Sequence, residues 1–257
     1  MTGSTFGDKS SWPIGDWFLT HLTDCLAALN RAGYKDVHLC APDYFSQLKV
    51  RRLAMMEFGA QVNPEVIFVG NIHTERVTQG DHTRANQSND LSWEIIKEHR
   101  KRAIFLVESD NLSWGDGQIT ESACIAAIVQ KERKKRPGFP VEVAQQTLKE
   151  SRDLLPRLVR VNALVFAGEE WPLTANYQLL HPEDGRSPAK IDLPFMLDLC
   201  KRFVMLRSEL IVVRTLERQQ KTARKLACMI QGNGHRDDMP ELARLYNFRL
   251  TLRSAVP

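Results

Sequence analysis

The feature that most constrains what this chain can fold into is the alternation running through its first half. Short apolar runs, each stopped by proline, glycine or a polar cluster, are followed by stretches with helical spacing. "DVHLCAP" at 36–42 predicts a strand ended by proline, "AQVNPEVIFVG" an extended segment, and "AIFLVES" a third strand. Between them, "DWFLTHLTDCLAALNRAGY" sets Phe18, Leu22, Leu26 and Leu29 on one helical face, with Asp16 as N-cap and Gly33 as C-cap. "FSQLKVRRLAMMEFGAQVNP", "LSWEIIKEHRK" and "TESACIAAIVQKERKK" supply three further helices, the last stopped by Pro137 and Gly138. Parallel strands need long crossovers, so this order predicts an α/β, Rossmann-like, mostly parallel sheet flanked by helices.

We place that core at about 14–145 and expect a mixed α/β continuation over 146–257, with no linker dividing the two. In the continuation, "EVAQQTLKESRDLLPRLVR" is expected to be helical as far as Pro156 and "VNALVFAG" to be a strand. "EEWPLTANYQLLHPEDGRSPAK" is a long polar connection. "LPFMLDLCKRFVMLRS" and "ERQQKTARKLACMIQ" are expected as helices flanking a strand "ELIVVRT", and "DDMPELARLYNF" as a closing helix. The segment from Asn71 to Asp90 has almost no apolar periodicity and predicts a loop, either of binding or lid type or a mobile surface excursion.

Composition bounds the function classes. An apolar content of 43% over 257 residues is enough for a full core, and a net charge of +4 is below the basic excess of a dedicated nucleic-acid binder. Five well-separated cysteines without a CxxC pair predict reduced thiols, a cytoplasmic setting and no structural zinc. No apolar run approaches the roughly 18 residues of a membrane span, the N-terminus lacks the pattern of a signal peptide, and the histidines lack paired spacing for a metal. No cofactor is expected.

In an open parallel sheet, ligands bind outside the carboxyl ends of the strands. The expected strands send Tyr44 and Phe45 to that edge as a stacking wall, and Asp116 and Glu121 as carboxylates for base or nucleophilic work. A structural assignment fits the same residues: aromatics packing the next helix, and Glu121 favouring a helix N-terminus.

In order and spacing, "VHLCAPDYF", "LAMMEFGAQVNP", "NDLSWEIIKEHRKRAIFLVESD" and "GQITESACIAA" resemble the nucleoside 2-deoxyribosyltransferase-like proteins, over residues 36–145. The family's Gly-x-x-x-Glu-x-x-x-Ala signature is approximated by Gly117, Glu121 and the Ile125–Ala126 region. The resemblance implies that Glu121 is a nucleophile at the anomeric carbon, that Asp90 helps to hold the substrate, and that Asp116 assists the departing base. His38 stands where the family has a strand tyrosine, and Gly115 where it has the usual aspartate. The implied ligand is a nucleoside or nucleotide, and the implied activity an N-glycosidic hydrolase or transferase; a fold that binds nucleotides without turnover matches the same residues.

The alternative is a non-enzymatic, basic nucleic-acid-binding subunit of a larger complex. The clusters "KVRRL", "KEHRKR" and "KERKKRP" would then engage phosphates beside Trp93, Trp114 and Trp171, although most such clusters border acids and suit solvated helix faces. "GNGHRDD" has no P-loop lysine and is expected as a turn between helices. The oligomeric state is left open.

Overall fold

The computed structural model describes residues 12–31, 42–71, 82–110, 114–170 and 193–256. In chain order these form α1 (Ile14–Arg31), α2 (Pro42–Val62), β1 (Glu65–Asn71), α3 (His82–Ile96), β2 (Ala103–Asp110), α4 (Glu121–Arg133), α5 (Val141–Glu150) and α6 (Leu154–Arg160). There follow β3 (Leu164–Glu169), α7 (Leu193–Thr222), β4 (Leu226–Gly232), a 3-10 turn (Asn233–Asp238), α8 (Met239–Tyr246) and β5 (Arg249–Ser254).

The five strands make one sheet in the order β3-β2-β4-β1-β5, and every pair is parallel. The protein therefore has the α/β, Rossmann-like architecture that the alternation predicts. Three of the strands come from the second half of the chain, so the continuation completes the same sheet as the core. One sheet face packs under α3, α4, α5 and α6 through Ile96, Cys124, Leu148 and Leu158. The other packs under α2, α7 and α8 through Met55, Ile211, Val213, Leu216 and Tyr246. Among the described residues no helix is long and apolar enough to cross a membrane.

Five expectations need correction. The polar stretch before Asp90 is a loop nowhere in its described part: from His82 it is α3. The buried stripe of α3 is Ala85, Ser88, Asn89, Ser92 and Ile96, at helical spacing but polar at three of the five positions, which hides the apolar period. "ELIVVRT" is the middle of the 30-residue α7, not a strand; Ile211, Val212 and Val213 are all buried, and burial on several sides erases the one-sided pattern of a surface helix. "LACMIQG" is β4, not helix, and is buried at all seven positions, as a central parallel strand is when both faces are covered. Finally, "NGHRDD" follows this strand, not a helix. The helix expected up to Pro156 is two helices, with Pro156 in the first turn of α6, where no amide donor is needed. The strand expected at 36–42 falls mostly outside the described residues, and Pro42 opens α2.

Candidate functional site at the carboxyl edge of the sheet

β2 leaves the sheet toward the α4 side and β4 toward the α8 side, so the connections diverge between two neighbouring strands. Such a divergence opens a crevice at the carboxyl edge. Here it measures about 260 Å³ and is lined by Asn71 from β1, Asn89 from α3, Glu108 from β2, Gln231 from β4 and Asp153 before α6.

One wall is a directed chain of side-chain hydrogen bonds. Ser88 Oγ donates to Asn71 Oδ1, Asn71 Nδ2 donates to Asn89 Oδ1 at 3.2 Å, and Asn89 Nδ2 donates to Asp153 Oδ1 at 3.2 Å. Each carboxamide is used at both ends, which fixes its orientation. Ser88 and Asn89 are buried and Asp153 is exposed, so the chain runs from the interior to a solvent-facing carboxylate. Ser151 holds that carboxylate from the other side: its Oγ lies 3.4 Å from Asp153 Oδ2 and accepts the Asp153 amide at 3.2 Å.

Behind the opposite wall lies a buried charged cluster. Arg207 of α7 donates to Glu169 Oε1 from Nε at 3.1 Å and to Glu108 Oε1 from Nη2 at 3.2 Å. Glu108 Oε2 accepts the Gly232 amide. His235 Nδ1 lies 2.8 Å from Ser208 Oγ, which lies 2.6 Å from Asp238 Oδ2, and His235 Nε2 is 4.0 Å from Glu108 Oε1. Burial raises the Asp238 pKa, opposed by the Ser208 hydrogen bond. One donor atom each of Glu108, Glu169 and His235 lies within 4.8 Å of the others, a spacing that admits a metal ion. No metal was expected from the sequence, since these residues are remote from one another along the chain.

The structure disperses the residues expected at the site. Glu121 is exposed at the first position of α4, behind an N-cap in which Thr120 Oγ accepts the Ala123 amide at 3.2 Å. It does not face the crevice. The chain after β2 turns back along β3, with the Ile119 amide on Val165 O at 2.8 Å and Gln118 Nε2 on Ala163 O at 3.4 Å. α4 thus begins toward the amino end of β3, away from the carboxyl edge. Asp116 is exposed and pairs with Arg214 at 3.2 Å and Arg218 at 3.7 Å.

Phe45 is no stacking wall: it is 2% exposed and packs on Phe18, with ring centroids 5.8 Å apart. Tyr44 Oη donates to Glu170 at 2.9 Å, and Arg214 joins Glu170 to Asp116, so Tyr44 and Asp116 share one ion-pair network without forming a pocket together. Asp90 pairs with Arg157, and it is its neighbour Asn89 that faces the crevice. His38 lies outside the described residues. The residues that do line the edge, Asn71, Glu108, Asp153 and Gln231, were not singled out from sequence.

Comparison of the chain with protein-family models, with curated proteins and with solved structures finds no match to any of them.

Proposed function

We propose that the chain binds a nucleoside or nucleotide in the carboxyl-edge crevice and breaks its N-glycosidic bond by hydrolysis or transfer, with Asp153 as the carboxylate nucleophile. The observation that carries this reading is the hydrogen-bond chain from Ser88 through Asn71 and Asn89, which ends on Asp153 at the crevice. A carboxylate oriented at Oδ1 by Asn89 and at Oδ2 by Ser151, and still exposed to solvent, suits attack on an anomeric carbon. Asp153 Oδ attacks that carbon, the C–N bond breaks, and the base departs with the electron pair and takes a proton from water. Water, or a second base, then attacks the glycosyl-enzyme ester and frees the carboxylate. Glu108, whose carboxylate lines the crevice, supplies an acceptor for sugar hydroxyls. Release of free base from a panel of nucleosides and nucleotides tests this. Asp153→Asn is expected to remove turnover and Glu121→Gln to retain it; the reverse would return the chemistry to α4.

A second reading is supported by one observation: Lys131, Arg133, Lys134, Lys135 and Arg136 are exposed together at the end of α4. They would contact nucleic-acid phosphates. Binding through them would weaken steeply with added salt, because each phosphate contact releases counterions, whereas nucleoside binding in the crevice would change little.

A further inference from the structure

We infer that Glu108, Glu169 and His235 bind a divalent transition-metal ion of the Zn²⁺ or Mn²⁺ class, with Gln231 Oε1 as an adjoining oxygen donor. This goes beyond the proposed glycosidic chemistry and does not rest on it.

The first observation is convergence. Two carboxylates and an imidazole, from the ends of β2 and β3 and from the turn after β4, bring their donor atoms within 4.8 Å of one another. The second is the tautomer of His235. Ser208 Oγ has a single proton and two oxygen acceptors, Asp238 Oδ2 at 2.6 Å and Val204 O at 3.0 Å. With Asp238 ionised, that proton goes to its Oδ2, and toward His235 Nδ1, at 2.8 Å, Oγ is then the acceptor. Nδ1 carries the ring proton, and Nε2, on the Glu108 side, carries the lone pair. A ring N–H tied to a hydroxyl–carboxylate relay while the other nitrogen faces acidic oxygens is the outer-shell arrangement of metal-binding histidines.

The third observation is independent of the acidic groups. Gln231 is 1% exposed and its Oε1 has no hydrogen-bond partner, while its Nε2 is 3.5 Å from Leu106 O. The register pairing Val107 with Ile230 sets Glu108 and Gln231 side by side on the α7 face of the sheet. Gly168 makes room for this side chain, since a Cβ there would come within 2.7 Å of Gln231 Nε2. An orphaned buried carbonyl oxygen is costly unless something electropositive meets it.

Arg207 already donates to Oε1 of both glutamates. A carboxylate has about four lone-pair sites, so the guanidinium and the ion can share the pair, Arg207 offsetting part of the charge. One imidazole with carboxylate and amide oxygens, and no thiolate, selects Zn²⁺ or Mn²⁺ over softer ions.

The test uses the full chain, freed of metal by chelator dialysis and titrated calorimetrically with zinc chloride and with manganese chloride. One ion per chain is expected, zinc the tighter, and in ¹⁵N-histidine spectra zinc shifts the Nε2 resonance of His235 while its Nδ1 stays protonated. His235→Gln and Glu169→Gln should each weaken binding by more than about tenfold, and the positioning variant Ser208→Ala by about 10–100-fold. No binding at millimolar ion, no shift at His235, or affinity unchanged in folded His235→Gln and Glu169→Gln would overturn the assignment. Should a variant fail to fold, the wild-type histidine spectrum decides alone.

Discussion

Asn89 Nδ2 and Asp153 Oδ1, 3.2 Å apart, join α3 to the entrance of α6 across the mouth of the crevice. Asn89 is 4% exposed and also accepts from Asn71 Nδ2, so replacing it removes the hydrogen bonds to Asn71 and to Asp153 at once. Asn89→Ala is expected to cost about 1–3 kcal/mol, the net worth of two part-buried hydrogen bonds. Urea unfolding measures this, and a loss in turnover larger than the loss in folded fraction would mark its second role, orienting Asp153.

A packing prediction concerns Gly59 of α2, which touches the end of α8. A Cβ at this position would lie 1.8 Å from Tyr246 O, a backbone atom that cannot swing away. Gly59→Ala should destabilise the protein by about 1–3 kcal/mol through overpacking. At exposed Gly117 a Cβ would meet nothing within 4 Å, so Gly117→Ala should stay within about 0.5 kcal/mol of the parent. Thermal melts of the two variants side by side check the contrast.

Much of the fold is legible where burial is one-sided or runs are short. The segments giving β2, β3, α4 and α8 show their type directly, because each pairs an apolar pattern with a recognisable stop. The segments giving α7 and β4 do not, since burial on several sides removes the period that separates helix from strand. The site is harder to read, because Asn71, Glu108, Glu169 and Gln231 are far apart in sequence and meet only when the strands align. A local signal does exist: each is a polar residue closing an apolar parallel strand, "VIFVGN", "IFLVE", "LVFAGE" and "ACMIQ". Glu121 lies off the site because the chain returns along β3 before α4 begins, a reversal that no local sequence pattern marks.

Acid should weaken the Glu170 network. Burial works against the Glu170 charge, but Arg51 and Arg214 outweigh it and hold its pKa below the ordinary 4.5. A folded value below the unfolded one means stability present above the unfolded pKa and lost as pH falls through the folded one. Urea midpoints measured from pH 5 downward should fall less steeply for Glu170→Gln than for the parent; parallel slopes would show that Glu170 contributes nothing to acid sensitivity.

Two thiols should be silent in the folded protein. Burial pushes Cys228 up to about 12, and burial with the nearby Glu121 charge pushes Cys124 up to about 11. Both are free and buried, and the thiolate is the reactive form. Iodoacetamide at pH 8 should leave both unmodified under native conditions and label both in denaturant, as peptide mass spectrometry would report.

The central claim is that Asp153 carries the glycosyl group. Wild-type protein mixed with a nucleoside substrate and quenched in acid should show, by intact mass, the addition of one glycosyl unit. Peptide mapping should place that unit on Asp153, and Asp153→Asn should lose both the adduct and turnover by at least about 10³-fold. An adduct on another residue, or turnover that survives in folded Asp153→Asn, would contradict the account.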